Sequence, residues 1–251
     1  LVRLLLSSNQ WDLNNETVLP PSAGRQDTVT PLILAINNQP INYNLDNQVS
    51  IVSQLLEAGV DCMKLTNGVS PLFYAVERNL SRRSDHVDGK TIFDTILDFM
   101  TKEQVQASVT SDSHSLVMQT LLPGLTNILG LRSTTLAKLL EKGANPDALD
   151  GLTGRIPIFK FMLRSIEGNR FSAEEERTMQ ILLNSSVNLY QPNSHGMSVV
   201  DLVELRQNDW NLSVETYRML QRKVDEQNAH VMSFGMVLHP NIRETSNLRN
   251  L

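Results

Sequence analysis

Apolar residues recur along this chain in short runs at helical spacing, and polar, turn-rich stretches separate the runs. The pattern is clearest over residues 30–76. Leu32, Leu34, Ala35 and Ile36 form one short run, and Ile51, Val52, Leu55 and Leu56 share one face of a second. Thr30 stands where a helix N-cap belongs, and Pro31 at the first helical position, where its missing N–H costs nothing. Gly59 ends the second run, because Gly takes the left-handed C′ conformation without a Cβ penalty. Ser70-Pro71-Leu72 then restarts the phrase opened by Thr30-Pro31-Leu32.

This unit, Thr30-Pro31-Leu32 with Ala35 followed by Leu55-Leu56, Gly59 and Asp61, resembles an ankyrin repeat, whose phrase is T-P-L-H-x-A, two antiparallel helices and L-L-x-x-G-A-D/N. A second unit opens at Gly68, with its second helix over 91–100 (Ile92, Phe93, Ile96, Leu97 and Met100 inward) and turn and loop over 101–112. The third has His114-Ser115-Leu116 where Thr-Pro-Leu belongs, and closes with the best match to the family's second half, Leu139-Leu140-Glu141-Lys142-Gly143-Ala144-Asn145. The fourth opens at Ile156-Pro157-Ile158 and closes at Leu182-Leu183, with Ser186 in place of Gly. The fifth opens at Ser198-Val199-Val200, its second helix over 213–224 with Val214, Tyr217 and Leu220 inward.

The resemblance implies an all-α solenoid of paired helices over 1–224: a partial repeat (1–29) and repeats at 30–67, 68–112, 113–153, 154–195 and 196–224. The segment 225–251 is then a cap or the start of a neighbouring segment. Residues 1–9 read as the second helix of a unit begun upstream, with a turn at Trp11-Asp12-Leu13-Asn14. A chain that opens this way, without Met, reads as a piece of a longer protein. The Pro position recurs at 31, 71, 157 and, as Ser115 and Val199, at 115 and 199. These steps exceed the family's repeat of about 33 residues. The excess falls mostly between paired helices, at 37–48, 77–90 and 166–172, so the insertions line up along one edge. Leu56, Leu140 and Leu183 are expected in the core. Ala35 and Ala75 let paired helices approach, and Phe161 takes their place in the fourth unit.

Net charge −5 and a pI near 5.6 exclude a broadly basic binder of nucleic acid or anionic membrane. The single cysteine, Cys62, excludes an intrachain disulfide and suits a cytoplasmic setting. Residues 113–131 lack charge, but His114, Gln119, Pro123 and Asn127 interrupt them, so buried core fits better than a membrane span.

Catalytic patterns are weak. Gly89-Lys90-Thr91 ends like a phosphate-binding loop, but Ser84 stands where that loop needs its first glycine, so Thr91 reads as a helix cap. The histidines (His86, His114, His195, His230 and His239) show no metal spacing, and Cys62 lacks a second cysteine for zinc. Glu174-Glu175-Glu176 complements a helix N-terminus, and Ser172 with Glu175 fits a capping box. Arg82-Arg83 reads as a solvated loop or a contact for an acidic partner.

The resemblance further implies protein binding along the concave face formed by first helices and finger tips. Carried onto this chain, the finger candidates are Met63, Lys64, Leu65, Leu149, Leu189 and Tyr190. The helix candidates are Asn37, Tyr74, Arg78, Lys160, Arg164 and Arg206. Tyr74, Tyr190 and Arg78 rank first, as Tyr and Arg are favoured interface anchors. The expectation is a monomeric, non-catalytic module that binds another protein, with no cofactor, metal, nucleic acid or membrane insertion. The alternatives are a substrate-recruiting part of a larger enzyme, a bacterial effector acting in host cytosol (asparagine is plentiful, 22 of 251), or a site built by the insertions around Cys62 or His86.

Overall fold

The computed structural model describes residues 12–15, 17–18, 28–37, 45–81, 90–108, 115–121, 131–151, 154–166, 171–205 and 211–233. The expected helix at 1–9, the loop at 16–27 apart from two strand positions, Arg82-Arg83, His86, His114, His239 and the tail from 234 lie outside the described residues, as does Arg206.

Among the described residues there are eleven helices: α1 (Pro31–Asn37), α2 (Leu45–Glu57), α3 (Pro71–Ser81), α4 (Ile92–Phe99), α5 (Lys102–Ala107), α6 (Leu116–Leu121), α7 (Leu131–Glu141), α8 (Pro157–Ile166), α9 (Ala173–Asn184), α10 (Val199–Leu205) and α11 (Val214–Ser233). One short antiparallel ribbon, absent from the helical expectation, joins β1 (Thr17–Val18) to β2 (Thr28–Val29), with Thr17 opposite Val29.

The helices pair locally: α1 with α2, α3 with α4, α6 with α7, and α8 with α9. The first members also pack in series, α1 on α3, α3 on α6, α6 on α8 and α8 on α10. The second members form a parallel row, α2 on α4, α7 on α9, and α9 on α11. At the middle junction α7 packs on α3 and reaches α4 through long charged side chains. A single apolar cluster runs the length of the stack, from Leu32 to Leu220. No helix pair could bury its apolar face alone, so the interfaces between pairs carry the stability.

Local chemistry explains the helix boundaries. Thr91 and Ser172 each close a capping box, with Asp94 and Glu175 respectively. Ser115, just before α6, accepts from Met118 N–H at 3.1 Å. At the C-termini of α2 and α7, Gly59 (φ 86°) and Gly143 (φ 98°) allow the same pair of closing bonds: Gly59 N–H to Leu56 with Val60 N–H to Leu55, and Gly143 N–H to Leu140 with Ala144 N–H to Leu139. Helices α4 and α9 end without glycine, and each receives a lysine instead, from the turn just after α7 and from α11 respectively. Lys142 donates to the carbonyl of Asp98 at 3.2 Å, and Lys223 to that of Ser185 at 2.8 Å.

Several expectations are corrected. Leu56 and Leu183 are buried, but Leu140 is only half-buried, and its neighbour Leu139 is fully buried instead. Adjacent helical residues point about 100° apart; in α7 the core covers only Leu139 fully, whereas Leu55-Leu56 and Leu182-Leu183 are buried as pairs. Ala75 is buried whereas Ala35 is only half-buried. Phe161 is accommodated by pairing with Phe171, centroids 4.8 Å apart and rings tilted by 59°. Val214 is 67% exposed, because it is the first residue of α11 and precedes the inward turn; Thr216 and Leu220 face the core. The expected loop at 101–112 contains α5, capped by Thr101 and Gln104. The last helix does not end at 224 but continues to Ser233.

Candidate protein-binding surface

Turns that begin at residues 12, 61, 145 and 188 form fingers, and an Asp or Asn sits at the base of each. Asp12, Asp61, Asn145 and Asn188 each fold their side chain back onto the backbone N–H two residues on, at 2.8–3.0 Å. These Asx turns set the finger backbone without a long loop. Some are also joined to one another. Asn14 accepts from Asp61 N–H at 2.8 Å, and Asp147 accepts from Asn188 N–H at 2.9 Å. The side chain two positions after one finger's Asx residue therefore holds the Asx residue of another. Burial raises the Asp147 carboxyl above its ordinary range, outweighing the Asn188 N–H bond that lowers it.

The second unit breaks the series. Where its finger belongs, α5 turns the chain instead, and Gln106 of α5 donates to the carbonyl of Gly143 at 2.9 Å. Further out on the Asp61 finger, Asn67 (φ 52°) and Gly68 (φ 77°) form a two-residue hairpin turn, closed by reciprocal bonds of 3.0 Å between Thr66 and Val69.

The fingers offer exposed apolar side chains at one equivalent position, four residues past the Asx residue: Leu65 (41% exposed), Leu149 (49%) and the exposed Pro192. Lys64 is exposed beside Leu65. Met63 is half-buried against the core. Leu189, expected on the surface, is fully buried: on an Asx turn the side chains beside Tyr190 alternate inward and outward, and Leu189 faces in.

On the first-row helices, Asn37 is exposed and Tyr74 is half-buried, edge-on to Phe73 with centroids 6.0 Å apart. Arg78 donates to Gln48 at 2.6 Å, which ties α3 to α2. Lys160 lies 3.8 Å from the fully buried carboxylate of Asp150. Helix α8 includes Arg164, whose side chain lies outside the described residues. Tyr190 is half-buried and donates its hydroxyl to Asn228. Burial raises the Tyr190 pKa, and Glu204, Asp201 and Asp225 push it the same way. Glu77, beside Arg78 on α3, also has its pKa raised by burial.

A groove of about 590 Å³ separates α4 from α7, lined by Lys90, Asp94, Asp98, Lys138, Glu141 and Lys142. Its charges largely satisfy one another: Lys90 meets Asp98 at 2.7 Å and Lys138 meets Asp94 at 2.5 Å. Among the described residues no group of His, Cys, Asp and Glu could hold a metal ion, and no helix is long and apolar enough to cross a membrane.

The fold of paired helices in two rows matches several solved structures. An ankyrin repeat domain from Acinetobacter baumannii AYE aligns with a TM-score of 0.58 over 90% of this chain and 92% of its own, at 15% identity. This chain has the ankyrin-repeat fold. The ankyrin repeat domain of Bcl-3, a member of the IkappaB protein family, aligns at 0.52 over 89% of this chain and 78% of its own, at 20% identity. A third ankyrin repeat protein aligns at 0.53 over 89% of each chain, at 13% identity. No protein-family model matches the sequence, and no curated protein does.

Relative to other second-row helices, the ankyrin-repeat fold here adds a clasp that the sequence did not reveal. Glu174 reaches α7, accepting from Ser133 N–H at 2.6 Å, while Glu176 reaches α11, accepting from Ser213 N–H at 2.7 Å. Glu175 caps its own helix through Ser172. Three consecutive acids thus serve three helices. Their position at a helix N-terminus was the available signal; their partners, about 40 residues away on either side, were not.

Proposed function

We propose that this chain is a protein-binding module that contacts its partner through the finger edge and the exposed side of the first-row helices, without catalysis. The observation that carries the reading is the set of exposed side chains, Lys64, Leu65 and Leu149, mounted on backbone turns held by Asx bonds and by cross-finger bonds. Rigid presentation lowers the ordering cost of binding, and ankyrin-type solenoids generally serve as interaction surfaces. Tyr74, Arg78, Tyr190, Met63, Lys160, Arg164 and Arg206 complete the proposed contact set. Lys64, Leu65 and Leu149 lead it, because Arg78, Lys160 and Tyr190 already hold partners within the fold. The proposed repeat boundaries are 30–67, 68–112, 113–153, 154–195 and 196–224, with 225–233 extending the last helix as a cover. The proposed setting is cytoplasmic.

Two triple variants test the surface: Lys64→Ala with Leu65→Ala and Leu149→Ala, and Tyr74→Ala with Arg78→Ala and Tyr190→Ala. Quantitative capture from lysate by each is compared with the unmodified chain. Loss of the same captured protein in the first set supports the finger edge. Equal recovery of every protein by both sets removes the proposal.

A further inference from the structure

Helix α11 is fastened differently from the other second-row helices. Helix α4 buries Ile92, Phe93, Ile96 and Leu97, α9 buries Met179, Leu182 and Leu183, and α7, between α4 and α9 in the row, buries Leu136 and Leu139. Among the described side chains of α11, Leu220 is the one buried apolar residue, and Met219 and Val224 are partly covered. Polar bonds take the place of apolar contact. Ser213, at the helix start, gives its N–H and hydroxyl to Glu176 at 2.7 and 2.9 Å, and the fully buried Thr216 hydroxyl contacts both Glu176 and Gln180. Lys223 donates to the Ser185 carbonyl at 2.8 Å.

Length adds a second difference. Helix α11 has 20 residues and α9 has 12, about 30 Å against about 18 Å at 1.5 Å per residue. The surplus lies along the finger that follows α9. There the Gln227 carboxamide engages both sides of the backbone: it accepts from Leu189 N–H at 2.9 Å and donates to the Val187 carbonyl at 2.7 Å. One residue on, Asn228 accepts from the Tyr190 hydroxyl.

We propose that α11 is a latch over the 187–190 finger, and that it opens as a unit while α7 and α9 stay folded. Apolar burial dominates global stability, whereas each hydrogen bond exchanged with water contributes little net. A helix whose described contacts are mostly side-chain hydrogen bonds belongs to the low-stability end of a fold. Opening releases the Leu189 N–H, the Val187 carbonyl and the Tyr190 hydroxyl in one event. The latch stands on these contacts alone; its control over access to Tyr190 rests in addition on the binding role proposed above.

Native-state hydrogen exchange of the full 251-residue chain, resolved by residue, tests the latch without any partner. Amides from 216 to 229 exchange through an opening that leaves Leu139, Leu182 and Leu183 protected. Gln227→Ala speeds exchange at Leu189 by about tenfold and leaves Leu182 and Leu183 unchanged. Gln227→Glu keeps the acceptor for Leu189 and loses the donor for Val187, so it retains more Leu189 protection than alanine does. Exchange of α11 in step with α9, or a Leu189 rate indifferent to Gln227→Ala, overturns the latch. Neither result bears on whether Lys64, Leu65 and Leu149 contact a partner.

Discussion

Glu176 caps a helix to which it does not belong. Its carboxylate on α9 accepts from Ser213 N–H at 2.7 Å and from the Ser213 hydroxyl at 2.9 Å, at the start of α11. A cap supplied by a neighbouring helix stabilises the helix and its docking together, so its loss is felt twice. Glu176→Ala is expected to cost about 1–2 kcal/mol. Ser213→Ala should cost a similar amount, and the double variant less than the sum, because each single change already breaks the shared bonds. Urea unfolding of the four proteins in this cycle provides the measurement.

The Leu139-Leu140 pair separates core from surface within one turn of α7. Leu139 is fully buried, and Leu140 is only half-buried. Leu139→Ala is expected to cost about 2–5 kcal/mol, and Leu140→Ala clearly less. Chemical denaturation of both variants decides it, and a larger loss at Leu140 would reverse the assigned phase of the helix.

Gly143 and Gly59 occupy the same place at the ends of α7 and α2, yet differ in surroundings. A Cβ at Gly59 meets nothing within 4 Å, whereas one at Gly143 falls 2.4 Å from Lys102 Cγ. Both φ values are positive, so alanine is strained at either site, by about 1 kcal/mol. Gly143→Ala should cost more, since it also displaces the Lys102 side chain. Repeating it in a Lys102→Ala background should bring the two glycine sites level in thermal unfolding.

Asp94 joins a cap to an ion pair. It accepts from Thr91 at the start of α4 and meets Lys138 of α7 at 2.5 Å. Burial raises its carboxyl, but the bonds from Lys138 and Thr91 outweigh burial and hold its pKa below the ordinary value. A carboxyl lowered in the folded state adds stability above its unfolded pKa, about 3.9, and that stability is lost as pH falls through the folded value. Lys138 is half exposed, so screening keeps the effect of Lys138→Met at about 1 kcal/mol or less at neutral pH. The gap between Lys138→Met and the parent should narrow as the pH falls below the ordinary carboxylate range, and vanish once Asp94 is protonated in the folded state. A gap that persists there would assign the effect to packing of the lysine stem.

Cys62 is buried, and its thiol pKa is raised by that burial, with Asp61 adding to the shift. The thiolate fraction at pH 8 is therefore below that of a free cysteine. Alkylation by iodoacetamide should be slow in the folded protein and rise sharply in urea. Fast native alkylation would revive a reactive role for this residue.

Much of the fold was legible because its signals are local. Thr30, Ser70, Thr91, Ser115 and Ser172 announce helix starts within three or four residues, and Gly59 and Gly143 announce two ends. Phase was harder to read. A Leu-Leu pair does not say whether one member or both face in: Leu182 and Leu183 both do, whereas of Leu139 and Leu140 only Leu139 is fully buried. Helix α5 carried its own signal, Thr101 three residues before Gln104, but buries only Val105, and its polar composition resembles a loop. Leu189 was expected outward because it lies in a turn, yet turns that pack on a solenoid still alternate. The bonds between fingers join residues 47 and 41 positions apart, beyond the reach of any local pattern. The same holds for Arg78 with Gln48 and Lys160 with Asp150, which draw two surface candidates into the fold's internal bonding.

Because α5 stands where one finger would be, Leu65 and Leu149 are not neighbours along the edge, whereas Leu149 and Pro192 are. A polypeptide laid along that edge would meet uneven footholds, one wide stride and then a short one. A ligand with evenly spaced anchors fits a regular stack better than this one, so under the binding role proposed here the syncopated rhythm would act as a filter.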